Sequence, residues 1–182
     1  MTDLQEQLVY WCYYFAEDNT YHYYDKDVGE SNLGPYTFDC ATFNSFTFYK
    51  AMGWESFPDT TKGGIGYFWP WINEDGFDYF LTFNGWARYD FSEDLLTEGA
   101  IIITDTSLHH SLMYVGNRVI CDANNYFGYG DDSINVRPYP TYDTAKFRYI
   151  YLPPNVSPGP TPKKTGIPLW MYFAKKKRRP HV

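Results

Sequence analysis

Apolar residues recur every three or four positions near the start of the chain, which predicts an amphipathic first helix over residues 3–17. The helix is expected to end near Asp18-Asn19, because both residue types favour turns. Cys12 borders the apolar stripe and is interpreted as a small buried hydrophobic residue. The stripe itself consists of Leu4, Leu8, Trp11 and Phe15.

A second helix is predicted over residues 40–52. Asp39 stands where a helix N-cap belongs, and Gly53 suits the left-handed position that follows a helix C-terminus. Aromatic side chains are spread around most sides of this segment. The pattern therefore predicts a central, buried helix whose N-terminal end, at Cys40, opens on a cleft.

Further along, short apolar and β-branched runs separated by turn residues predict strands. Residues 54–98 are irregular in pattern, with one short strand predicted at Phe77–Phe83. Gly116-Asn117 is expected to make a tight hairpin turn. The other strands are predicted at Ala100–Thr104, His110–Val115, Arg118–Asp122, Ser133–Pro138 and Phe147–Leu152. Helices followed by strands predict an α+β fold with the helices on one face of an antiparallel sheet.

Composition divides the chain into a body and a tail. At 182 residues, of which 21% are aromatic, the chain suffices for one domain with a core built largely from rings, assigned to residues 1–152. Residues 153–165 are rich in Pro and predict an extended linker. Residues 166–182 form a basic, aromatic tail.

Charge follows the same division. Seven of the 15 Lys and Arg, and none of the 22 Asp and Glu, lie in the last twenty residues. The acidic body therefore argues against nucleic-acid binding. The tail is expected to contact anionic polymers or lipid headgroups. Docking on the acidic body and a disordered solubilising role are the alternatives.

The three cysteines form no CxxC pair and no even set, which argues against a disulfide scaffold and a structural zinc site. No metal or other cofactor is expected. The start of the chain lacks a basic segment followed by an apolar run, and no stretch is long enough to span a membrane. The protein is therefore expected to be made in the cytoplasm without a signal peptide.

The candidate chemistry is a cysteine–histidine pair. Cys40 opens a predicted helix, and His109-His110 opens a predicted strand some seventy residues later. A helix N-terminus stabilises a thiolate, and an imidazole can hold the proton and return it to a leaving group. A zinc site built from both histidines with Asp105 and Asp122 is disfavoured, because adjacent strand residues point to opposite faces.

Four motifs in order resemble the NlpC/P60 superfamily of cell-wall cysteine peptidases, in particular its bacteriophage lysin branch, from the first helix to about residue 152. Alone each motif is loose, but their order is fairly specific. The motifs are Gly34-Pro35-Tyr36-Thr37-Phe38-Asp39-Cys40, Leu96-Thr97-Glu98-Gly99-Ala100-Ile101-Ile102, His110-Ser111-Leu112-Met113-Tyr114-Val115-Gly116-Asn117, and Arg137-Pro138-Tyr139 through Phe147-Arg148-Tyr149.

The resemblance implies a papain-like fold and assigns roles to single residues. Cys40 would be the nucleophile and His110, rather than His109, the general base. The family's third polar residue, usually His, falls on Asp122, and a carboxylate there would fix the imidazole tautomer. Asn124 and Asn125 are fallback orienting residues.

The same resemblance implies which residues line the substrate. Tyr23 is the preferred tyrosine upstream of the nucleophile, with Tyr21 and Tyr24 as alternatives, and Asp39 and Ala41 flank Cys40. The oxyanion would be held by the backbone N–H of Cys40. Two departures bear on substrate preference: Ala41 replaces the usual Ser, and Gly99-Ala100 replaces the usual Gly-Asp.

The function that the resemblance implies is hydrolysis of an amide bond in the peptidoglycan stem peptide, at a γ-D-glutamyl bond. An N-acetylmuramoyl-L-alanine amidase on the same fold is the nearest alternative. A non-catalytic wall-binding or virion structural module, an antibacterial toxin and a cytosolic transferase stay open. Release through a holin or carriage on a virion would bring such a phage lysin to the bacterial wall.

Overall fold

The computed structural model describes residues 1–17, 22–23, 37–38, 40–53, 77–104, 110–124, 133–139 and 144–157. Within these ranges lie the helices α1 (Asp3–Glu17), α2 (Cys40–Ala51) and α3 (Phe77–Phe83). The strands are β1 (His22–Tyr23), β2 (Thr37–Phe38), β3 (Ala87–Asp90), β4 (Ile101–Thr104), β5 (Ser111–Gly116), β6 (Val119–Asn124), β7 (Ser133–Pro138) and β8 (Phe147–Leu152). Short 3-10 turns occupy Glu93–Leu95 and Thr144–Lys146.

The eight strands form one sheet in the order β2-β1-β7-β6-β5-β4-β8-β3. Each neighbouring pair is antiparallel except β1 and β2, which are parallel. The chain passes back and forth through β4, β5, β6 and β7, so residues close in sequence come to lie on adjacent strands. This order places β5 and β6, which carry the residues after His110 and around Asp122, in the middle of the sheet.

Helices α1 and α2 pack together and against the central strands. Their contact is largely aromatic, with the rings of Phe15 and Phe46 5.5 Å apart and those of Phe15 and Phe43 6.2 Å apart. The buried hydroxyls of Ser45 and Thr47 on α2 donate to carbonyls of the helix itself, Thr47 Oγ1 to the Phe43 carbonyl at 2.8 Å. Helix α2 is thus central and buried, as its residues predicted.

A second cluster of buried apolar residues lies apart from the helices. On β5, Met113 belongs to the cluster around α1 and α2, whereas Leu112 belongs to the second cluster. The same alternation holds on β6 for Cys121 and Ile120. Because successive strand residues point to opposite faces, both faces of the central strands are buried.

These observations confirm the α+β prediction. Helices pack on one face of a mainly antiparallel sheet, and Cys40 is the first residue of a central helix, which is the papain-like arrangement expected from the sequence. The bounds predicted for the first helix, for β7 and for β8 agree with the structure. Gly53 follows α2 with φ of +66°, as expected for a residue after a helix C-terminus.

The strand predicted at Phe77–Phe83 is wrong, because this segment is helix α3. Its alternating apolar residues imitate a strand, but among residues 78–83, whose burial the structure describes, the buried ones are the adjacent Phe80 and Leu81. Phe80 packs on Phe48 of α2 with ring centroids 6.1 Å apart. The tertiary contact therefore overrides the strand pattern, and the edge strand of this region is β3, which pairs with β8.

The hairpin predicted between β5 and β6 is confirmed, with its turn one residue later than expected. Asn117 and Arg118 both have positive φ, 51° and 57°, as the two central residues of a primed hairpin turn require. Gly116, with φ of +94°, precedes them. A Cβ at Gly116 would lie 2.9 Å from Cγ of Glu98, so the glycine also allows a close approach.

The residues that directly follow β8 still pack against the folded domain. Pro153 is buried, and Val156 packs against the second apolar cluster. Residues 158–182, with most of the predicted linker and the whole tail, lie outside the described residues, so the division into domain, linker and tail stays a prediction. Among the helices that the structure describes, none is both long enough and apolar enough to cross a membrane.

Candidate active site

Cys40 lies at the N-terminus of α2 and is buried, with 7% of its surface exposed. The first N–H groups of a helix have no acceptor within the helix and, with the helix dipole, they favour negative charge at this end. Asp39, the expected N-cap, lies outside the described residues. The position is thus suited both to a thiolate and to an oxyanion formed beside it.

His110 directly precedes β5, and its backbone is fixed by Thr104 at the end of β4. The His110 N–H donates to Thr104 Oγ1 at 2.8 Å, and the Thr104 N–H donates to the His110 carbonyl at 2.9 Å. The Thr104 hydroxyl also lies 3.1 Å from that carbonyl and donates to it. The imidazole therefore projects from a backbone held by two neighbouring strands.

The imidazole reaches Asp122 on β6. Nε2 of His110 lies 2.8 Å from Oδ2 of Asp122, whose side chain is completely buried. The side chain of His110 is 11% exposed, so the pair is shielded from water but not sealed. The predicted third polar residue is thus in contact with the predicted base.

Arg137 on β7 binds the other side of the same carboxylate. Its Nε donates to Oδ1 of Asp122 at 3.1 Å and its Nη2 to Oδ2 at 2.6 Å. Asp122 pairs with Asn135 across the ladder, so Arg137 is the diagonal neighbour two residues further along β7. Its side chain is only 4% exposed, and the carboxylate therefore receives donors from two sides within the protein.

These contacts change the acid–base properties of the two residues. Burial alone would lower the pKa of His110, but hydrogen bonds to Asp122 and Cys40, together with their charges, raise it from 6.5 to about 10. Burial would raise the pKa of Asp122, but the hydrogen bonds and positive charges of His110 and Arg137 lower it. At neutral pH the site therefore holds an imidazolium against a carboxylate.

The imidazole lies between two partners. Its hydrogen bond to Asp122 uses Nε2, and the Cys40 side chain is close enough to raise the pKa of the same imidazole. Since Nε2 is engaged by the carboxylate, Nδ1 is the nitrogen left for the thiol. The arrangement sulfur–imidazole–carboxylate is the one required for nucleophilic catalysis by cysteine with an oriented base.

A buried amide connects the helix of Cys40 to the strand that follows His110. Asn44, one turn after Cys40 on α2, donates through Nδ2 to the Cys40 carbonyl at 2.9 Å and to Oγ of Ser111 at 3.0 Å. Asn44 and Ser111 have no exposed surface. The first turn of α2 is thereby tied to β5, which limits how far the sulfur and the imidazole can move apart.

The structure brings together Cys40, His110 and Asp122. Ala41 is fully buried in the apolar cluster around α1 and α2, and Tyr23 lies on β1, two strands from β6. The proposed substrate contacts of Tyr23, Asp39 and Ala41 stay predictions. His109 and Asp105, two members of the disfavoured zinc site, lie outside the described residues, and the described part of the chain holds no metal-binding cluster.

Sequence reasoning did not identify Arg137, Asn44 or Ser111 as parts of the site. A signal for Arg137 existed, because it lies in a strand whose alternate positions, Ile134 and Val136, are apolar. A charged residue on a strand buried on both faces needs a partner, and Asp122 lies on the preceding strand. The signal for Asn44 was weaker, since an amide inside an apolar helix has many possible partners.

No known family model matches the chain, and no curated protein sequence matches it. Among solved structures, it is similar to NlpC1 from Trichomonas vaginalis, with 17% identity and a TM-score of 0.46 over 82% of this chain and 43% of that one. It is also similar to NlpC2 from Trichomonas vaginalis, with 19% identity and a TM-score of 0.46 over 84% of this chain and 46% of that one. The chain thus spans less than half the length of either neighbour.

Proposed function

We propose that this protein is a cysteine peptidase or amidase that hydrolyses an amide bond of the peptidoglycan stem peptide. The observation that carries the chemistry is the hydrogen bond between Nε2 of His110 and Asp122, together with Cys40 at the start of a buried helix, whose side chain raises the pKa of the same imidazole. The substrate class is supported by the four sequence motifs that resemble cell-wall cysteine peptidases. The same resemblance favours a γ-D-glutamyl bond.

In the proposed reaction the Cys40 thiolate attacks the carbonyl carbon of the amide. Negative charge develops on the carbonyl oxygen and is stabilised by the N–H groups at the start of α2. The imidazolium of His110, protonated because its pKa is raised to about 10, donates its proton to the leaving amine. A thioester between Cys40 and the acyl group of the stem peptide remains.

Water then attacks the thioester, with neutral His110 accepting its proton as the general base. Asp122 stays ionised throughout and compensates the charge of the imidazolium, since His110 and Arg137 lower its pKa. No cofactor takes part in this sequence of steps. The carbon–sulfur bond then breaks and the acid product leaves. The proton taken from the water stays on His110, opposite the released Cys40 thiolate, which restores the starting state.

The proposed place of action is the bacterial cell wall, in a phage lysin that reaches it through a holin or on a virion. The basic tail would add affinity for anionic wall polymers or lipid headgroups. Both suggestions rest on sequence composition and on the resemblance. A preparation lacking residues 166–182 that cleaves soluble muropeptides normally, but binds intact walls less tightly, would support the role of the tail.

The test of the function is cleavage of purified muropeptides from several wall types, with products identified by mass. Wild type is compared with Cys40→Ala, and Cys12→Ala serves as a matched control because Cys12 is a second buried free thiol. A product formed by wild type and Cys12→Ala, and not by Cys40→Ala, would support the proposal and identify the bond cleaved.

Other results would exclude specific parts of the proposal. Cleavage that persists in Cys40→Ala would contradict the mechanism. A product whose mass shows muramic acid separated from L-Ala would make the protein an amidase rather than an endopeptidase. If folded, reduced protein binds walls and cleaves none of them, the protein is a binding module that retains the arrangement of an enzyme.

A further inference from the structure

The guanidinium of Arg137 makes a two-point contact with the carboxylate that orients His110. Nε of Arg137 donates to Oδ1 of Asp122 at 3.1 Å, and Nη2 donates to Oδ2 at 2.6 Å. Oδ2 also accepts from Nε2 of His110 at 2.8 Å. The carboxylate is therefore held in one plane and one rotation, since a planar fork matches its geometry.

We propose that Arg137 is a positioning residue that holds the Asp122 carboxylate against Nε2 of His110, so that the imidazole presents Nδ1 to Cys40. This inference rests on the proposed function, in which Cys40 and His110 carry out the chemistry. Arg137 would act through Asp122 and would not touch the substrate. It would complete a series of four side chains contributed by α2, the start of β5, β6 and β7.

Packing alone does not account for this pair. A buried ion pair is often no more stabilising than two apolar residues of similar volume, because both charges lose their hydration. The neighbouring position Ile120, which is paired with Arg137 across the ladder, is apolar and fully buried. The sheet therefore accommodates apolar side chains here, and we attribute the charges at 122 and 137 to the imidazole they hold.

Asp122 needs a second cation to keep its charge. Burial raises the pKa of a carboxyl group, and a single hydrogen bond to His110 would let the proton be shared between the two residues. The guanidinium cannot give up a proton, so it favours the ionised carboxylate. The nearby titratable groups that the structure describes are His110, Arg137, the Cys121 thiol on β6, the Cys12 thiol on α1 and, beyond the imidazole, Cys40.

The consequence is a pH dependence that differs between variants. Without Arg137, the carboxyl takes up a proton at a higher pH, and a neutral carboxyl no longer stabilises the imidazolium. The acidic limb of Cys40 reactivity should therefore move toward neutral pH in Arg137→Met. Arg137→Lys should give an intermediate profile, because an ammonium keeps the charge but makes no planar two-point contact.

The experiment measures the rate at which Cys40 is alkylated by iodoacetamide as a function of pH, with Cys40→Ala to define background labelling of Cys12 and Cys121. In Arg137→Met we expect the acidic limb to move up by about one pH unit or more. The rate at neutral pH should fall about tenfold or more. Arg88→Met is the matched control, since it disrupts an Asp–Arg pair elsewhere and should leave the profile unchanged.

A profile of folded Arg137→Met that coincides with that of wild type would overturn the inference. If Arg137→Met does not fold, Arg137→Lys decides, because a Lys profile identical to wild type would also overturn it. Alkylation requires no substrate, so the inference and the proposed function can fail separately. An Arg137-dependent profile without any wall cleavage would reject only the substrate, and wall cleavage with an Arg137-independent profile would reject only the positioning role.

Discussion

Two aspartate–arginine pairs in the described part of the chain make similar contacts in opposite surroundings. Asp78 at the start of α3 accepts from Arg88 of β3, with Oδ1 3.1 Å from Nη1, and the two side chains are 19% and 41% exposed. Asp122 and Arg137 are 0% and 4% exposed. The two ion pairs therefore use nearly the same atoms, but the first lies beside water and the second in the buried interior.

Each aspartate also forms a hydrogen bond with a third residue and raises the pKa of that residue. The Tyr151 hydroxyl donates to Oδ1 of Asp78 at 2.7 Å, and burial together with this aspartate raises the pKa of Tyr151. Asp122 likewise raises the pKa of His110, against the effect of burial. A phenol is protonated at neutral pH in any case, so only the imidazole gains a different charge state from its aspartate.

The comparison teaches that burial decides what a carboxylate does. Near water, the Coulomb energy of an ion pair is small and its loss is compensated by hydration. In the interior, each charge depends on its partners, and removing one partner leaves an uncompensated charge. We therefore expect variants at positions 122 and 137 to have large effects and the equivalent variants at 78 and 88 to have small ones.

The largest effect is expected on hydrolysis. Asp122→Asn keeps the volume but removes the charge that stabilises the imidazolium, so kcat/KM should fall by about 10²- to 10⁴-fold. Asp78→Asn should change it by less than about threefold, because Asp78 contacts no member of the site. Initial rates on a muropeptide that the wild type cleaves measure both, and a loss smaller than about tenfold in Asp122→Asn would exclude an orienting role.

Stability should separate the two arginines next. Arg137→Met leaves a buried carboxylate with one partner fewer, so the free energy of unfolding should fall by about 3–5 kcal/mol. Arg88→Met removes a half-exposed pair and should lower it by about 0–1 kcal/mol. Urea denaturation of both variants measures the difference. Equal losses of unfolding free energy in the two variants would contradict the expectation that the buried pair stabilises the protein more than the half-exposed pair.

A double variant tests whether the buried charges serve stability or chemistry. Asp122→Leu with Arg137→Met removes both charges, so the free energy of unfolding should return to within about 2 kcal/mol of wild type. Hydrolysis should stay as low as in Asp122→Asn, because the imidazolium has no carboxylate. Urea denaturation and hydrolysis rates, both measured on one preparation of the double variant, show whether the buried charges serve stability or chemistry. Recovery of hydrolysis along with stability would show that Asp122 has a purely structural role.

The pH dependence of stability sharpens the same contrast. His110 has its pKa raised from 6.5 to about 10, so its contribution is fully present below pH 6.5 and is lost as the pH rises through about 10. Asp122 has its pKa lowered from 3.8, so its contribution is present above pH 3.8 and is lost as the pH falls further. The stability difference between wild type and Asp122→Asn should therefore be largest between these values and shrink toward alkaline pH.

Urea denaturation of wild type and Asp122→Asn over that pH range measures this difference. Asp78→Asn provides the control and should show a small, nearly constant difference at neutral pH. A difference between wild type and Asp122→Asn that stays constant up to alkaline pH would contradict a charged His110–Asp122 pair.

The smallest expected effect is the response to salt. Surface charges are screened within about 3 Å at 1 M salt, whereas buried pairs are screened much less. The small destabilisation in Arg88→Met should therefore vanish at high salt, while that in Arg137→Met should persist. Repeating the denaturation at low and high concentrations of sodium chloride measures both, and a salt-sensitive Arg137→Met would place its pair in contact with solvent.

Much of the framework could be predicted because it depends on local periodicity. The apolar stripe predicted α1 to its observed ends, and the alternating runs predicted β7 and β8. The strand prediction at Phe77–Phe83 failed for a physical reason. Apolar residues that alternate along the chain can also lie on a helix, provided that the helix buries only a short stretch of them. Contact with Phe48, some thirty residues away, decided the outcome.

The residues of the candidate site also divide into those that the sequence indicated and those that only the structure revealed. Cys40 and His110 could be identified because each lies in a motif that resembles the superfamily, and Asp122 because the resemblance implied a third polar residue at that position. Arg137 could not be assigned, because its contact with Asp122 depends on the register between β6 and β7. Asn44 and Ser111 could not be paired either, since their contact depends on how α2 lies on β5.

By itself, then, the sequence determined the helices α1 and α2, the strands β4 to β8 and the position of Cys40 at a helix start, because these follow from residues within one or two turns of each other. Only the tertiary structure decided which carboxylate would be dry and which would face water. Asp78 and Asp122 carry identical side chains, and the difference between them arises from strand register and burial, which no local pattern encodes. That difference separates a surface ion pair from the charge that orients His110.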